Sequence, residues 1–121
     1  MNIKATHIDL TETITEYVEK KVASLGKVID VEDPTVLVSV EVGKTTEGQK
    51  SGDVFRAEIH ITGGGRDFYA DSVKDDIYAA IDEVRDEVLR QARRSKNKWR
   101  TLVERGARSL KKKMKGLKPW K

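Results

Sequence analysis

Val36-Leu37-Val38-Ser39-Val40-Glu41-Val42 decides the fold. Valine recurs at every second position, with Leu37, Ser39 and Glu41 between, and that period of two belongs to a β-strand with one face covered and one wet. Working outward, Asp33-Pro34 is a turn that delivers the chain into this strand. On the other side, Gly43 to Gly52 is polar and bounded by glycine, which predicts a long hairpin loop. Phe55, Ala57, Ile59 and Ile61 then alternate with Arg56, Glu58, His60 and Thr62, giving the return strand. Gly63-Gly64-Gly65 turns the chain again, and Arg66 to Ala70, with Phe68 and Ala70 inward, is expected to be a shorter fourth strand.

A sheet with one dry face needs a cover, and two helical patterns supply it. Near the start, Ile3 and Ala5, with His7 as a further candidate, alternate over about six residues as a first strand. Thr11 or Thr13 can cap the helix that follows, and Thr13-Ile14-Thr15-Glu16 has the form of a capping box. Ile14, Tyr17, Val18, Val22 and Leu25 fall on one helical face, and Gly26 stands where a left-handed stop carries no Cβ penalty. Ser72-Val73-Lys74-Asp75 has the form of a second capping signature, opening a helix that buries Ile77, Ile81, Val84 and Val88 and runs to about Lys98. Such a helix is about 40 Å long, more than a four-stranded sheet spans, so its end is expected to project. The β-α-β-β-β-α order implies an α+β two-layer sandwich: a four-stranded sheet with two helices on one face.

Composition narrows the function classes. A chain of 121 residues fits one domain with a real core. It has no cysteine, which excludes disulfides, thiolate metal sites and cysteine nucleophiles. No signal-like apolar segment opens it and no membrane-length apolar run occurs, so the cytoplasm is the expected compartment. Charge is the distinctive feature. Residues 90 to 121 carry 14 Lys/Arg against one acid, Glu104, whereas residues 1 to 89 carry 10 against 19. An acidic body of −9 thus bears an extension of +13, a division that points to a polyanionic partner, RNA foremost.

Arg90, Arg93, Arg94, Lys96, Lys98 and Arg100 cluster near the end of the long helix, and Arg105, Arg108, Lys111, Lys112, Lys113, Lys115, Lys118 and Lys121 continue the series. If about eight of them meet phosphates, log K falls against log salt with a slope of about −6 to −7; the plain alternative is a solvated cationic tail. Trp99, Leu102, Val103, Leu110 and Met114 recur at nearly helical spacing despite Gly106. Three readings stay open for this tail: Trp99 or Trp120 stacking on unpaired bases, a basic helix lying on anionic lipid, or a disordered segment that orders on its target.

Other constellations have simpler accounts. The acids Asp75, Asp76, Asp82, Glu83, Asp86 and Glu87 resemble a general acid–base set, but Asp82 lies three residues before Arg85 and Asp86 four before Arg90, the spacing of helix-surface ion pairs. His7 and His60 lack metal-ligand spacing. Gly63-Gly64-Gly65-Arg66 lacks the Gly-Lys-Ser/Thr ending of a phosphate loop and joins two strands. No metal, no cofactor, no small-molecule substrate and no catalytic residue is expected.

Asp76-Ile77-Tyr78-Ala79-Ala80-Ile81-Asp82 resembles the Asp-hydrophobic-Tyr-x-Ala-Ile-Asp/Asn signature of the ribosome hibernation-promoting factor and ribosome-associated inhibitor family, in its short type. Val88, Gln91, Arg94 and Lys96 resemble the family's continuation, and Thr11, Tyr17, Val18, Lys21 and Leu25 its first helix, so the likeness covers about Asn2 to Lys98. It implies the same β-α-β-β-β-α fold, related in shape to double-stranded RNA-binding domains. It also implies a partner, the small ribosomal subunit, with the protein occupying the messenger RNA channel and the A- and P-site tRNA positions and so blocking translation without chemistry. Carried over by position, the rRNA contacts are Lys20, Lys21, Lys27, Lys74, Arg85, Arg90, Arg93, Arg94, Lys96, Lys98 and Arg100, of which Lys21, Arg94 and Lys96 match the motif most directly. Trp99, Arg105, Arg108, Lys111, Lys112, Lys113 and Lys115 would add tail contacts to RNA. Residues 1–98 are then a ribosome-binding domain and 99–121 a basic tail, partly helical or disordered until bound. The free protein is expected to be a monomer with no membrane partner, and the tail is too short for the dimerisation domain of long members. Two departures stand out: family domains spread basic residues over the body, whereas this body is acidic, and residues 99–121 have no family counterpart. The rival readings are a general RNA-binding module or RNA chaperone acting off the ribosome, and a sigma-factor-type regulatory interaction protein.

Overall fold

The computed structural model describes residues 1–45 and 54–113, with 96–113 as backbone only. The element order is β1 (Asn2–Thr6), α1 (Glu12–Ala23), a 3-10 turn (Ser24–Lys27), β2 (Leu37–Lys44), β3 (Phe55–Gly63), β4 (Arg66–Lys74) and α2 (Ile77–Lys113). The strands lie in sequence order, β1 parallel to β2 and the remaining pairs antiparallel, so the described chain is the expected α+β sandwich. The parallel β1–β2 pair requires a crossover, and α1 provides it. Register follows the hydrophobic pattern: Val40 faces Ile3 on one side and Ile59 on the other, and Ile59 faces Ala70. These inward rows meet Ile14, Val18, Val22 and Leu25 of α1 and Ile77, Ala80, Ile81, Val84, Val88 and Ala92 of α2 in one core. Both helices therefore cover the same face, and the other face stays wet, carrying Lys4, Glu41, Glu58 and Asp71 across one row.

Several boundaries differ from expectation, each for a local reason. Thr11, in extended conformation, caps α1: its Oγ1 accepts the Ile14 N–H at 3.2 Å, so Thr13 lies inside the helix and the capping box one turn later does not form. At the far end α1 tightens into the 3-10 turn, with Ser24 Oγ donating to the Lys21 carbonyl at 2.5 Å, and Gly26 is not used as a left-handed stop. Left-handed backbone occurs instead at His7 (φ 62°), which ends β1 before it, and in the Gly64-Gly65 turn (φ 59° and 76°). Asp33 does form the expected turn, accepting both the N–H and the hydroxyl of Thr35.

The largest shift is at Ser72. It is not a helix cap: β4 continues through it to Lys74 and equals β3 at nine residues, so it is not a short strand. Ser72 occupies an inward position, 7% exposed, and the burial of its hydroxyl is tolerable because Oγ donates to Glu83 Oε1 at 2.8 Å. The cap of α2 is Asp76, whose Oδ1 accepts the Tyr78 N–H at 3.3 Å. α2 passes the expected end at Lys98 without a break and carries 37 residues, about 55 Å. β2 likewise takes Gly43 and Lys44 out of the expected loop; Thr45 N–H still bonds the Val54 carbonyl, and the loop residues 46–53 lie outside the described residues.

Gly43 is required where it stands. A Cβ there would overlap the backbone carbonyl of Thr6 in β1, and backbone cannot move aside as a side-chain tip can. Gly43→Ala is therefore expected to destabilise the domain by about 1–3 kcal/mol through overpacking. Urea unfolding with amide exchange checks this, and the exchange should accelerate first in β1.

Candidate nucleic-acid interface

The sheet and helix registers locate the point at which the basic residues leave the body. β4 is an edge strand, and Gln91 reaches its rim: Oε1 accepts the Tyr69 N–H at 3.2 Å and Nε2 donates to the Tyr69 carbonyl at 2.7 Å. One side-chain amide thus takes the place of a fifth strand at that rung. It also fixes α2 lengthwise, with Gln91 level with Tyr69. Only three residues of β4 remain beyond Tyr69 before the Gly65 turn, about 10 Å, which a helix covers in about seven residues. Past about Lys98 the helix has no sheet beneath it, and its backbone continues to Lys113.

Several cations of the body and of the α2 surface above it are engaged by carboxylates. Lys21 Nζ lies 3.1 Å from Asp82 Oδ1, which also accepts from the Tyr17 hydroxyl at 2.6 Å. The Lys21 ammonium sits 5.2 Å from the Tyr17 ring centre, and Tyr17 meets Tyr78 edge-to-face at 4.9 Å. Tyr17, Lys21, Tyr78 and Asp82 thus latch α1 to α2. Lys74 pairs with Glu83 at 2.7 Å, and Arg85 with Asp86 at 3.1 Å, although the Arg85 Nε is buried without a well-aligned hydrogen bond. Arg90 places Nε and Nη2 at 3.0 and 2.7 Å from Glu87 Oε2, and Arg94 Nη2 lies 3.7 Å from Glu87 Oε1. The helix pairs expected from spacing, Asp82 with Arg85 and Asp86 with Arg90, are thus replaced: Asp82 takes Lys21 across the helix interface and Arg90 takes Glu87. Spacing within one helix could not reveal a partner contributed by another.

These contacts set the local protonation. Hydrogen bonds from Lys74 and then Ser72 hold the Glu83 carboxyl below its ordinary value, and the bond from Arg90 does the same for Glu87. Burial pushes the Asp82 carboxyl up, but hydrogen bonds and charge from Tyr17 and Lys21 outweigh it and leave it low. A carboxyl depressed in the folded state stabilises the fold fully above its ordinary value near pH 4, and the benefit is lost as pH falls through the depressed value. Asp82→Asn is therefore expected to cost about 1 kcal/mol at pH 7, solvent screening included, and to flatten the acid limb of the stability curve. Urea midpoints from pH 2 to 7 read both effects; an unchanged acid limb would remove the latch from the account.

Of the expected contacts on the described side chains, Lys20 and Lys27 are exposed on and just after α1 and Arg93 is exposed on α2, and among the described residues none of these three has an ion-pair partner. Lys96, Lys98, Trp99, Arg100, Arg105, Arg108, Lys111, Lys112 and Lys113 are placed on the continuing backbone of α2, with side chains outside the description. Lys115 and Trp120 lie outside the described residues. Sequence reasoning missed the Tyr69–Gln91 clamp, since a lone glutamine carries no periodic signal. His60 pairs with Asp67 at 2.6 Å on the wet face, the side of the sheet away from the helices. Among the described residues no helix is long and apolar enough to cross a membrane, and no group of three or more acidic or imidazole side chains is placed to hold a metal.

Comparison with known proteins agrees with this architecture. The ribosome hibernation promoting factor of Pseudomonas putida is 29% identical over 108 residues, covering 88% of this chain and 96% of that protein. Its namesake in Escherichia coli K12 is 32% identical over 98 residues, covering 81% and 94%. Among solved structures, the Thermus thermophilus Protein Y N-terminal domain superposes with a TM-score of 0.63 at 28% identity, covering 78% of this chain and 98% of that domain. A ribosomal subunit interface protein from Coxiella burnetii shares the fold, with a TM-score of 0.61 at 15% identity and coverage of 79% and 96%. The family described as sigma 54 modulation protein / S30EA ribosomal protein matches residues 1–100, nearly all of the sandwich and the helix as far as it leaves the sheet, and the chain belongs to that family.

Proposed function

We propose that this protein is a ribosome hibernation factor of the cytoplasm. It binds the small subunit through rRNA phosphates, lies in the messenger RNA channel across the A- and P-site tRNA positions, and blocks translation by occupancy. The observation that carries this reading is the segregation of charge along the chain: residues 1–89 sum to −9 and residues 90–121 to +13, and α2 carries the backbone from Arg90 to Lys113 past the end of the sheet. Relatives named ribosome hibernation promoting factor support the ribosomal role. In this account residues 1–98 form the ribosome-binding unit, with Lys20, Lys27 and Arg93 as the carried-over contacts that have no ion pair among the described residues, and 99–121 supply further RNA contacts from Trp99, Arg100, Arg105 and Arg108 onward. The free protein is a monomer, and no step needs a catalytic residue, a metal or a cofactor.

A second reading, a general RNA-binding module acting off the ribosome, draws on the same segregation, since phosphate neutralisation alone carries no sequence information. Sedimentation with small subunits across rising salt, with and without excess duplex RNA, separates the two. Saturable binding that survives competitor, together with inhibition of translation in a purified system, supports hibernation. Binding competed equally by any RNA supports the general module. The sigma 54 wording in the family description names a third activity, and binding to polymerase components at moderate salt would favour it.

A further inference from the structure

Glu87 lies one turn of α2 before Gln91, where the helix still covers the sheet, and its two oxygens are divided between two arginines. Oε2 takes Nε and Nη2 of Arg90, and Oε1 faces Arg94 at 3.7 Å and the Gln91 amide at 3.4 Å. Gln91 is itself fixed by its double hydrogen bond to Tyr69 on the β4 edge, so this carboxylate is attached through Gln91 to the rim of the sheet. A phosphodiester offers the same guanidinium pair the same thing, two oxygens sharing a negative charge.

We propose that Glu87 is a specificity-determining residue for RNA: in the free protein it fills the place of a backbone phosphate between Arg90 and Arg94, and RNA must displace it. The inference rests on the RNA-binding reading above and deepens it. A stray phosphate gains little by exchanging with a carboxylate already bonded to Arg90, whereas a strand that also engages Arg93 and the helix beyond makes the exchange favourable. Glu87 therefore suppresses weak binding to arbitrary RNA more than binding to the intended site.

The test uses the full chain with Glu87→Gln, an isosteric change that keeps a hydrogen-bond acceptor and removes the charge. The control is Glu16→Gln, which removes the same charge from the outer face of α1, where Glu16 is exposed and has no ion pair among the described residues. Affinities for a mixed-sequence single-stranded RNA and for small ribosomal subunits are measured across salt, with urea unfolding to verify that both variants fold. The expected result is that Glu87→Gln binds the free RNA about three- to tenfold tighter, with a salt slope steeper by about 0.7 to 1.4 as one or two more phosphates are engaged. Subunit affinity should rise less, so discrimination falls, while Glu16→Gln changes neither. Equal behaviour of the two variants would overturn the proposal in favour of a simple net-charge effect. Weaker binding by Glu87→Gln would overturn it in favour of a carboxylate that holds the arginines ready. If the wild-type chain binds neither RNA nor subunits, the RNA-binding reading itself fails, and this inference with it.

Discussion

Ending the chain at Lys98 lowers its affinity for RNA by about 100-fold or more near 0.1 M salt, while leaving the fold intact. The cut removes nine cations and one acid, Glu104. If about five of the nine meet phosphates, the salt slope becomes shallower by about 3.5 to 4.5. The thermal midpoint should hardly move, because Ala92, the last core residue among the described side chains, lies upstream of the cut. Titration of labelled RNA against both chains at several salt concentrations reads the effect. Undiminished binding would transfer the contacts to Lys20, Lys27 and Arg93 on the body and leave the extension without a role.

Ile81→Ala produces the largest loss of stability, about 3–4 kcal/mol. Ile81 is 1% exposed, on the stripe that α2 lays over the sheet, and lies one residue before Asp82 of the interhelical latch. Deleting its outer atoms leaves a cavity that a helix fixed at both Asp76 and Gln91 cannot close by sliding. Against a total of about 5–15 kcal/mol for a domain, the loss should lower the melting temperature by more than about 10 °C. Calorimetry or urea unfolding measures it; a cost under about 1 kcal/mol would mean that α2 repacks freely. Binding to RNA at low temperature should survive the change, which separates the core from the interface.

The fold was legible where pattern and burial agree. Val38, Val40 and Val42, and Ala57, Ile59 and Ile61, alternate because one face of the sheet is covered, and that alone set the register. It failed where a polar residue sits inward: Ser72 looks like a cap because its hydroxyl suits one, and only Glu83, contributed by α2, reveals why it is buried in a strand instead. The choice between Thr11 and Thr13 turned on backbone conformation, which composition does not encode. The helix passes Gly106 because one glycine costs only about 1 kcal/mol in a helix interior. At the candidate interface the charge division was plain from residue order, whereas the engagement of Lys21, Lys74, Arg85, Arg90 and Arg94 by carboxylates was not. Asp82 takes its cation from α1, far back in the sequence, and Glu83 takes Lys74 from the end of the preceding strand.

The unbroken course of α2 also determines how many ligands this protein is. A flexible tail would act as a second, tethered binder whose contribution depends on an effective concentration in the millimolar range, set by linker length and lost gradually as the target sites move apart. A helix that begins in the core and continues to Lys113 puts no such linker between the sandwich and residues 99–113, so the two are expected to engage a surface together or fail together. Its avidity is thus decided by the shape of the target, and an RNA that bends away from the helix axis forfeits the far contacts altogether.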